Sequence, residues 1–161
     1  MHIWTIEKWK KFYDSTYPGH RTGVRLRFDR EVDPEVRRAC KEFLMWLRKE
    51  YFFPIRVPTY IKNAKKIKAV DGEMVYGTFF EPFSKHEEPY IRISAGDYCE
   101  IKNKRGKDNA LAAVLSSIAH ELTHYFQWVN GLQYTPIGEE RQAKAYVAFI
   151  LNEYAETREH P

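Results

Sequence analysis

The longest regular alternation of apolar and polar positions in the chain covers residues 108–130. Apolar residues recur there every three or four positions: Leu111, Val114, Leu115, Ile118, Leu122, Tyr125 and Val129. This spacing predicts an amphipathic helix whose apolar side packs on the core of the protein. Asp108 is a candidate N-cap and Gly131 a stop signal, so we expect the helix to fill the whole stretch.

Two strands and another helix are predicted before this stretch. Residues 24–28 alternate between apolar and charged side chains, which is typical of a half-buried strand. Asp33 followed by Pro34 predicts a helix start. The apolar stripe of that helix consists of Val36, Phe43, Leu44, Leu47 and Tyr51. Pro54 ends the helix, and residues 55–61 form the next strand. This strand–helix–strand order favours parallel pairing of the two strands in one sheet.

Two further strands are predicted nearer to the long helix. Residues 74–80 follow the turn signal Asp71–Gly72, residues 90–93 alternate, and a hairpin between the two is expected. Residues 97–107 are expected to form a loop, and a last helix opens at Glu139 and Glu140. We therefore expect an α+β fold, a small single domain over residues 1–161. In it a twisted mixed sheet of about four strands packs on the long helix and on a C-terminal helix.

The N-terminal segment is rich in aromatic residues. Trp4, Trp9, Phe12 and Tyr13 have spacings compatible with a short amphipathic helix. A helix packed on the body of the domain is the favoured interpretation, and a partner-binding arm is the alternative.

Composition and charge narrow the class of protein. The formal net charge of +4 permits contact with nucleic acid without arguing for it. The basic run Lys62, Lys65, Lys66 and Lys68 is interpreted as a solvated strand end, with nucleic-acid contact as the weaker alternative. No stretch reaches the roughly 20 apolar residues that cross a bilayer, and the N-terminus lacks the apolar region of a signal peptide. Two cysteines make no disulfide framework, so we expect a cytoplasmic protein without membrane contact.

The predicted long helix contains the sequence His-Glu-Leu-Thr-His at residues 120–124. In a helix His120 and His124 lie one turn apart on the same face, so both imidazoles can reach one metal ion. Glu121 lies about 100° round the helix axis, where it can take a proton from a metal-bound water. The face that carries the histidines is otherwise small or polar, with Ala113, Ser116, Ser117 and Gln127. Such a face suits the floor of a cleft.

This segment resembles the active-site helix of the zincin metallopeptidases. The resemblance implies a catalytic Zn2+ bound by His120 and His124. It also implies that Glu121 is the general base and acid in peptide-bond hydrolysis. The resemblance covers roughly residues 55–154, since the first third of the chain matches only in its strand–helix–strand order.

The zincin comparison requires a third protein ligand downstream of the helix. The chain has no histidine placed as in the metzincins, so a glutamate ligand of the gluzincin type is the better match. Glu139 and Glu140 are the candidates, and the small residue Ala143 three positions after Glu140 resembles the gluzincin pattern and favours Glu140. The short interval from His124 is similar to that of the minigluzincins, the SprT-like peptidases and the peptidases that accompany prophage repressors.

The sequence also departs from the thermolysin-like pattern. Lys144 stands four positions after Glu140, where such relatives carry an acidic residue that orients a zinc histidine, so this support must come from elsewhere. Tyr134 is the best-placed phenol for stabilising an oxyanion, with a packing role as the alternative. By the same resemblance, the third or fourth strand presents an edge to an extended peptide.

The sequence therefore predicts a zinc-dependent metallopeptidase that acts on a peptide or protein substrate. The principal alternative is a zinc-containing regulator or DNA-associated module that performs no hydrolysis. Glu121 favours the peptidase, because a purely structural zinc needs no general base and usually has four protein ligands.

Overall fold

The strands and helices that the sequence predicts occur in the predicted order, with further short elements between them. The computed structural model describes residues 1–13 and 20–161. After a 3-10 turn at Lys8–Lys11, the elements are β1 (Val24–Phe28), α1 (Pro34–Glu50), β2 (Val57–Lys62), β3 (Ile67–Lys68), β4 (Met74–Val75), β5 (Gly77–Phe80), β6 (Tyr90–Ser94), α2 (Tyr98–Arg105), α3 (Lys107–Val129) and α4 (Pro136–Ala155). The α+β prediction is confirmed.

The main sheet has four strands in the order β1-β2-β6-β5. Strand β2 pairs in parallel with both β1 and β6, and β5 pairs with β6 in antiparallel register, with Gly77 opposite Ile93. The predicted parallel pair and the predicted hairpin are both confirmed. Strand β5 forms one edge of this mixed sheet, and it packs beside α3.

The predicted strand over residues 74–80 is divided at Tyr76, which corrects the prediction. Strand β4 pairs with β3 in a separate two-stranded sheet, whereas β5 joins the main sheet. The two halves need different partners, and the chain bends at Tyr76, whose carbonyl accepts a hydrogen bond from Ser94 N at 2.8 Å. Apolar alternation along the sequence cannot show a change of partner.

Strand β2 begins two residues later than predicted. Ile55 lies outside it because the backbone of Ile55 bonds a side chain instead of a neighbouring strand. The Tyr125 hydroxyl accepts from Ile55 N at 3.0 Å and donates to Ile55 O at 2.6 Å. This buried pair of hydrogen bonds joins the segment just before β2 to the C-terminal part of α3.

The segment predicted as a loop over residues 97–107 contains the helix α2, so that prediction is wrong. Helix α2 buries one residue, Tyr98, and therefore shows no apolar stripe in the sequence. Its position is held by α1: Tyr98 donates a hydrogen bond to Glu35, and Lys102 Nζ lies 3.3 Å from Glu35 Oε1. These contacts with Glu35 stabilise α2, although its own sequence shows no helical stripe.

The ends of α3 differ in how well the sequence predicted them. The N-cap is Gly106 rather than Asp108, because the positive φ of Gly106, 87°, turns the chain sharply between α2 and α3. Asp108 lies in the first turn. At the other end the predicted stop is confirmed: Gly131 has φ 63°, and Leu132 N donates to Gln127 O at 2.9 Å, as in a Schellman cap.

The core lies between the sheet, α1 and α3. Every residue of the predicted apolar stripe of α3 is buried: Leu111, Val114, Leu115, Ile118, Leu122, Tyr125 and Val129. The predicted stripe of α1 is buried as well, including Val36 and Phe43. Burial of both stripes confirms the helical periodicity on which these predictions rest.

The N-terminal aromatic residues pack on the body of the protein, as the favoured interpretation expects. Trp4 is 2% exposed, and its indole N–H donates to Thr123 Oγ1 at 3.2 Å. The only helical turn in the described part of this segment is Lys8–Lys11, and Trp4 precedes it. The remainder of the predicted N-terminal segment, residues 14–19, lies outside the described residues.

The cysteines and the helices bear on the predicted cytoplasmic environment. Cys40 is buried, Cys99 is exposed, and both are free thiols. In the part of the chain that the structure describes, no helix combines the length and the apolar character needed to cross a membrane.

Candidate metal centre

The central residues of the site come from one turn of helix α3. His120 and His124 project from the same face, with ring centroids 5.0 Å apart. Together with Glu121 they form a group whose ligand atoms all lie within 4.8 Å of one another. Two imidazoles and a carboxylate at these distances can hold a metal ion.

Glu140 reaches this group from helix α4. Its Oε2 lies 3.1 Å from His120 Nε2 and its Oε1 lies 2.8 Å from His124 Nε2, so one carboxylate spans both histidines. The start of α4 fixes this reach, because Thr135 caps the helix by accepting from Gly138 N at 3.0 Å and Pro136 occupies the first turn.

Glu139, the other candidate, occupies a different position. Its backbone carbonyl accepts a hydrogen bond from Gln127 Nε2 at 3.1 Å, and its side chain lines the cleft beside His124. Burial raises the pKa of Glu139, and the nearby carboxylates of Glu81 and Glu140 add to the effect. In the structure it is Glu140, and not Glu139, whose carboxylate contacts both histidine Nε2 atoms.

Glu121 is buried in the same cleft. It is 6% exposed, and its Oε2 has no hydrogen-bond partner among the described residues. Burial disfavours the charged carboxylate and raises the pKa of Glu121 to about 7, while nearby His124 opposes the shift and Glu140 adds to it. An unpartnered buried carboxyl oxygen is costly unless water, an ion or a substrate group completes its contacts.

Gly77 brings the edge strand close to Glu121, and the sequence predictions did not identify this role. A Cβ atom at Gly77 would lie 3.2 Å from Glu121 Cγ and 3.2 Å from Ile93 Cδ1, closer than ordinary van der Waals contact. A side chain there would have to displace one of these neighbours. A glycine inside a predicted strand was the only available signal, since it often marks a close approach of the backbone.

The cleft lies between the β4–β5 segment on one side and helices α3 and α4 on the other. A cavity of about 600 Å3 is lined by His120, Glu121 and Glu140, and a cavity of about 500 Å3 is lined by Glu121, His124 and Glu140. Gly77 lines both cavities. The two cavities share Glu121 and Glu140, so a ligand can reach these carboxylates from both sides.

The electrostatics of His120 suit a neutral imidazole. Burial lowers its pKa first of all, and nearby His124 and Lys144 lower it further, against the opposing effect of Glu140. Lys144 thus lies on the His120 side of the cleft and lines it, where the thermolysin-like pattern has an acidic residue. A neutral imidazole is the form that coordinates a metal ion.

Two observations test whether this group fits a metal ion. Both oxygens of Glu140 face imidazole nitrogens, and the contacts bring three potential ligands together from two helices. Glu121 Oε2 is buried beside them and has no partner within residues 1–13 and 20–161. A set of two imidazole nitrogens and carboxylate oxygens is the kind of donor set that binds divalent transition metals, so the residues fit.

Tyr134 is not part of this group. It is 37% exposed, its hydroxyl accepts from Gln142 Nε2 at 3.3 Å, and it is not among the described residues that line the cleft. Its suggested role as an oxyanion stabiliser stays a prediction.

The basic run is solvated, as predicted, because Lys65, Lys66 and Lys68 are exposed. Lys62 Nζ lies 2.9 Å from Asp29 Oδ1, Lys65 pairs with Glu100, and Lys66 Nζ lies 5.6 Å from the ring centroid of Tyr76. These contacts lie at the surface, and contact with nucleic acid stays a prediction.

Gln127 lies on the face of α3 that carries the histidines, as predicted, and it lines the cleft. It is 3% exposed, and its Oε1 lies 2.8 Å from His124 Nδ1. The spacing of three residues along the helix was the available signal, because positions i and i+3 are neighbours on a helix surface.

No protein-family model, curated protein or solved structure matches this chain. The inference about its function therefore depends on the geometry of the site and on the residues that build it.

Proposed function

We propose that this chain is a zinc-dependent metallopeptidase of the gluzincin type. The observation that carries the proposal is the single carboxylate of Glu140 placed against His120 Nε2 and His124 Nε2, with the unpartnered oxygen of Glu121 beside them. Two histidines one helical turn apart, a third ligand from the next helix and a free carboxyl group are the components that metal-assisted hydrolysis requires.

His120, His124 and Glu140 are the residues that would hold the ion. When bound, Zn2+ polarises a carbonyl group as a Lewis acid and lowers the pKa of water at the site. The position of Glu140 on α4 and of the histidines on α3 makes the metal centre dependent on the packing of these two helices, which is extensive.

Glu121 is the proton carrier in this proposal. A pKa of about 7 lets the carboxylate accept a proton from water at Oε2 and lets the resulting acid donate it to a leaving amide nitrogen near neutral pH. Burial of Glu121 keeps bulk water from its carboxyl group and strengthens its electrostatic interactions. Gly77 supports this by leaving room for the Glu121 side chain against the sheet edge.

Strand β5 is the surface proposed to bind the substrate. It is the edge of the main sheet, and Gly77, Thr78 and Phe79 line the cleft that contains Glu121 and His124. An extended peptide can pair with the main chain of such an edge through hydrogen bonds that are largely independent of sequence. A peptide or an unfolded protein segment is therefore the proposed class of substrate.

The variant Glu121→Gln tests the proposed proton transfer. We expect it to keep zinc and fold but to lose hydrolysis by about 10²- to 10⁴-fold, because only the proton acceptor is removed. The measurement is single-turnover cleavage of a fluorogenic peptide library, with zinc content determined on the same samples. Glu139→Gln is the matched control, since it makes the same chemical change in the same cleft and should reduce cleavage only a few-fold.

The same experiment distinguishes the peptidase from the non-hydrolytic zinc module. Zinc bound to the purified chain without hydrolysis of any peptide would favour the module. Cleavage by Glu121→Gln at the wild-type rate would contradict the role of Glu121.

A further inference from the structure

The orientation of the Gln127 side-chain amide is determined by its surroundings. Its Nε2 lies 3.1 Å from the backbone oxygen of Glu139 and 2.9 Å from Oε1 of Gln142. A backbone carbonyl oxygen can only accept a hydrogen bond, so the NH2 end of the amide must face Glu139. The reversed amide would place two oxygens against each other in a site where Gln127 is 3% exposed.

This orientation determines which nitrogen of His124 carries the proton. With its NH2 end committed to Glu139, Gln127 presents Oε1 to His124 Nδ1 at 2.8 Å. Because that oxygen only accepts, Nδ1 must donate its N–H. The other ring nitrogen, Nε2, faces Glu140 Oε1 at 2.8 Å, and it is therefore the nitrogen left to coordinate a metal ion.

We infer that Gln127 is a positioning residue that holds His124 in the Nδ1–H tautomer and presents its Nε2 lone pair to the metal ion. The inference rests on the proposed metal centre and adds a residue that sets the geometry of one of its ligands. In the thermolysin-like pattern, an acidic residue at the position of Lys144 orients a zinc histidine. In this chain Gln127 would orient His124 instead. It does so from α3, with an uncharged amide.

Gln127 also connects the two helices that carry the proposed ligands. It belongs to α3, and its Nε2 bonds the carbonyl of Glu139, the residue immediately before Glu140 on α4. One amide therefore holds the ring of His124 and the backbone beside Glu140. Loss of this amide would disturb the orientation of one ligand and the distance between the two helices at the same time.

The proton on His124 Nδ1 in the metal-free protein is the first measurement. Two-bond 1H–15N correlation spectra show which ring nitrogens carry a proton. We expect His124 Nδ1 to be protonated in the wild type and only partly protonated in Gln127→Met, which keeps the side-chain length but removes both hydrogen bonds. An unprotonated Nδ1 in the wild type would overturn the inference.

The second measurement is zinc affinity, determined by competition with a chromophoric chelator. Gln127→Met should bind zinc about 10- to 100-fold more weakly than the wild type, the usual effect of losing a partner of a metal ligand. Gln127→Glu keeps an acceptor opposite Nδ1 but loses the donor to the Glu139 carbonyl, so it should bind zinc more weakly than the wild type and more tightly than Gln127→Met, which a purely packing role would not explain. Gln142→Met is the matched control and should change the affinity by less than about threefold, since it leaves the His124 contact in place.

These measurements separate this inference from the proposed function. A folded Gln127→Met variant with wild-type zinc affinity would contradict the positioning role. If Gln127→Met fails to fold, as judged by circular dichroism, the tautomer in the wild type and the affinity of Gln127→Glu still decide. Absence of peptide cleavage by the wild type would remove the proposed function while leaving the tautomer and affinity results interpretable.

Discussion

The two sides of helix α3 differ in polarity and in how completely their polar groups are hydrogen-bonded. The core side is mostly apolar, and the hydroxyl of Tyr125 on this side is fully paired with the backbone of Ile55. The cleft side carries His120 and His124, whose partners are Glu140 and Gln127, and Glu121, whose Oε2 has no hydrogen-bond partner in the described part of the chain. The core side is complete within the fold, whereas the cleft side has donor atoms available for a ligand.

This difference implies that the stability of the fold and the assembly of the site are separable. Burial of the apolar side stabilises the protein without any ion, because the hydrophobic contribution depends on area removed from water. The cleft side gains its final arrangement from hydrogen bonds and, in our proposal, from a metal ion. Substitutions on the two sides should therefore affect different measurements.

Truncation on the core side should have the largest effect on stability. Leu122 is fully buried, so Leu122→Ala should lower the free energy of unfolding by about 2–5 kcal/mol through lost burial and a cavity. Urea unfolding measures this value. The control on the same helix is Ser117→Ala on the cleft side, which should change it by less than about 0.5 kcal/mol. Equal effects of the two substitutions would contradict the division of α3 into two functional sides.

Removal of the proposed third ligand should affect the metal rather than the fold. Glu140→Ala should weaken zinc binding by about a hundredfold or more, equivalent to about 2.7 kcal/mol, because it deletes a coordinating group. Glu139→Ala is the matched control, and it should change zinc affinity only a few-fold. Chelator competition on both variants gives the comparison. A larger loss in Glu139→Ala would identify Glu139 as the ligand, and no loss in either would exclude a glutamate ligand from this pair.

Removal of zinc should lower the melting temperature while the helices persist. An ion at about 100 times its Kd stabilises the folded state by about 2.7 kcal/mol, and a chelator withdraws this contribution. The apolar side of α3 is buried without the ion, so the far-UV circular dichroism at neutral pH should be retained. Complete loss of the helical signal after chelation would show that the metal is structural, and would favour the non-hydrolytic alternative.

The buried phenol of Tyr125 should give the stability of the protein a dependence on pH. Burial raises the pKa of Tyr125 well above its ordinary value of 10.0, so the native state keeps the phenol protonated at a pH where the unfolded chain ionises. The associated stability is therefore fully present below pH 10 and declines as pH rises towards the pKa of the folded state, by up to about 1.4 kcal/mol per pH unit.

Tyr125→Phe isolates this effect. Near pH 7 it should lower the free energy of unfolding by about 1–3 kcal/mol, because it leaves the Ile55 N–H without its partner. Above pH 10 the difference between wild type and variant should shrink. A difference that stays constant from pH 7 to pH 11 would show that Tyr125 ionises normally in the folded state.

The features that were predicted correctly depend on residues close together in the sequence. The apolar stripe of α3, the glycine stop at Gly131 and the hairpin of β5 and β6 depend on a spacing of 3.6 residues, on a positive φ and on alternation, which neighbouring residues determine. The grouping of His120, Glu121 and His124 has the same origin, because one helical turn places them together whatever the rest of the chain does.

Tertiary structure decided what depends on distant partners. Helix α2 is held by the contact of Tyr98 with Glu35, 63 positions away, and residues 74–80 divide because their two halves pair with different strands. No local pattern contains this information.

The same distinction applies inside the site. The sequence determined which residues of α3 lie together at the proposed metal centre. It also identified Glu139 and Glu140, on the helix that follows, as the candidates for the third ligand. Only the packing of α4 on α3 placed the carboxylate of Glu140 against both histidines, and only that packing buried Gln127 between His124 and the Glu139 carbonyl. The physical reason is that a helical period fixes angles within one helix, whereas the relation between two helices depends on the side chains packed between them.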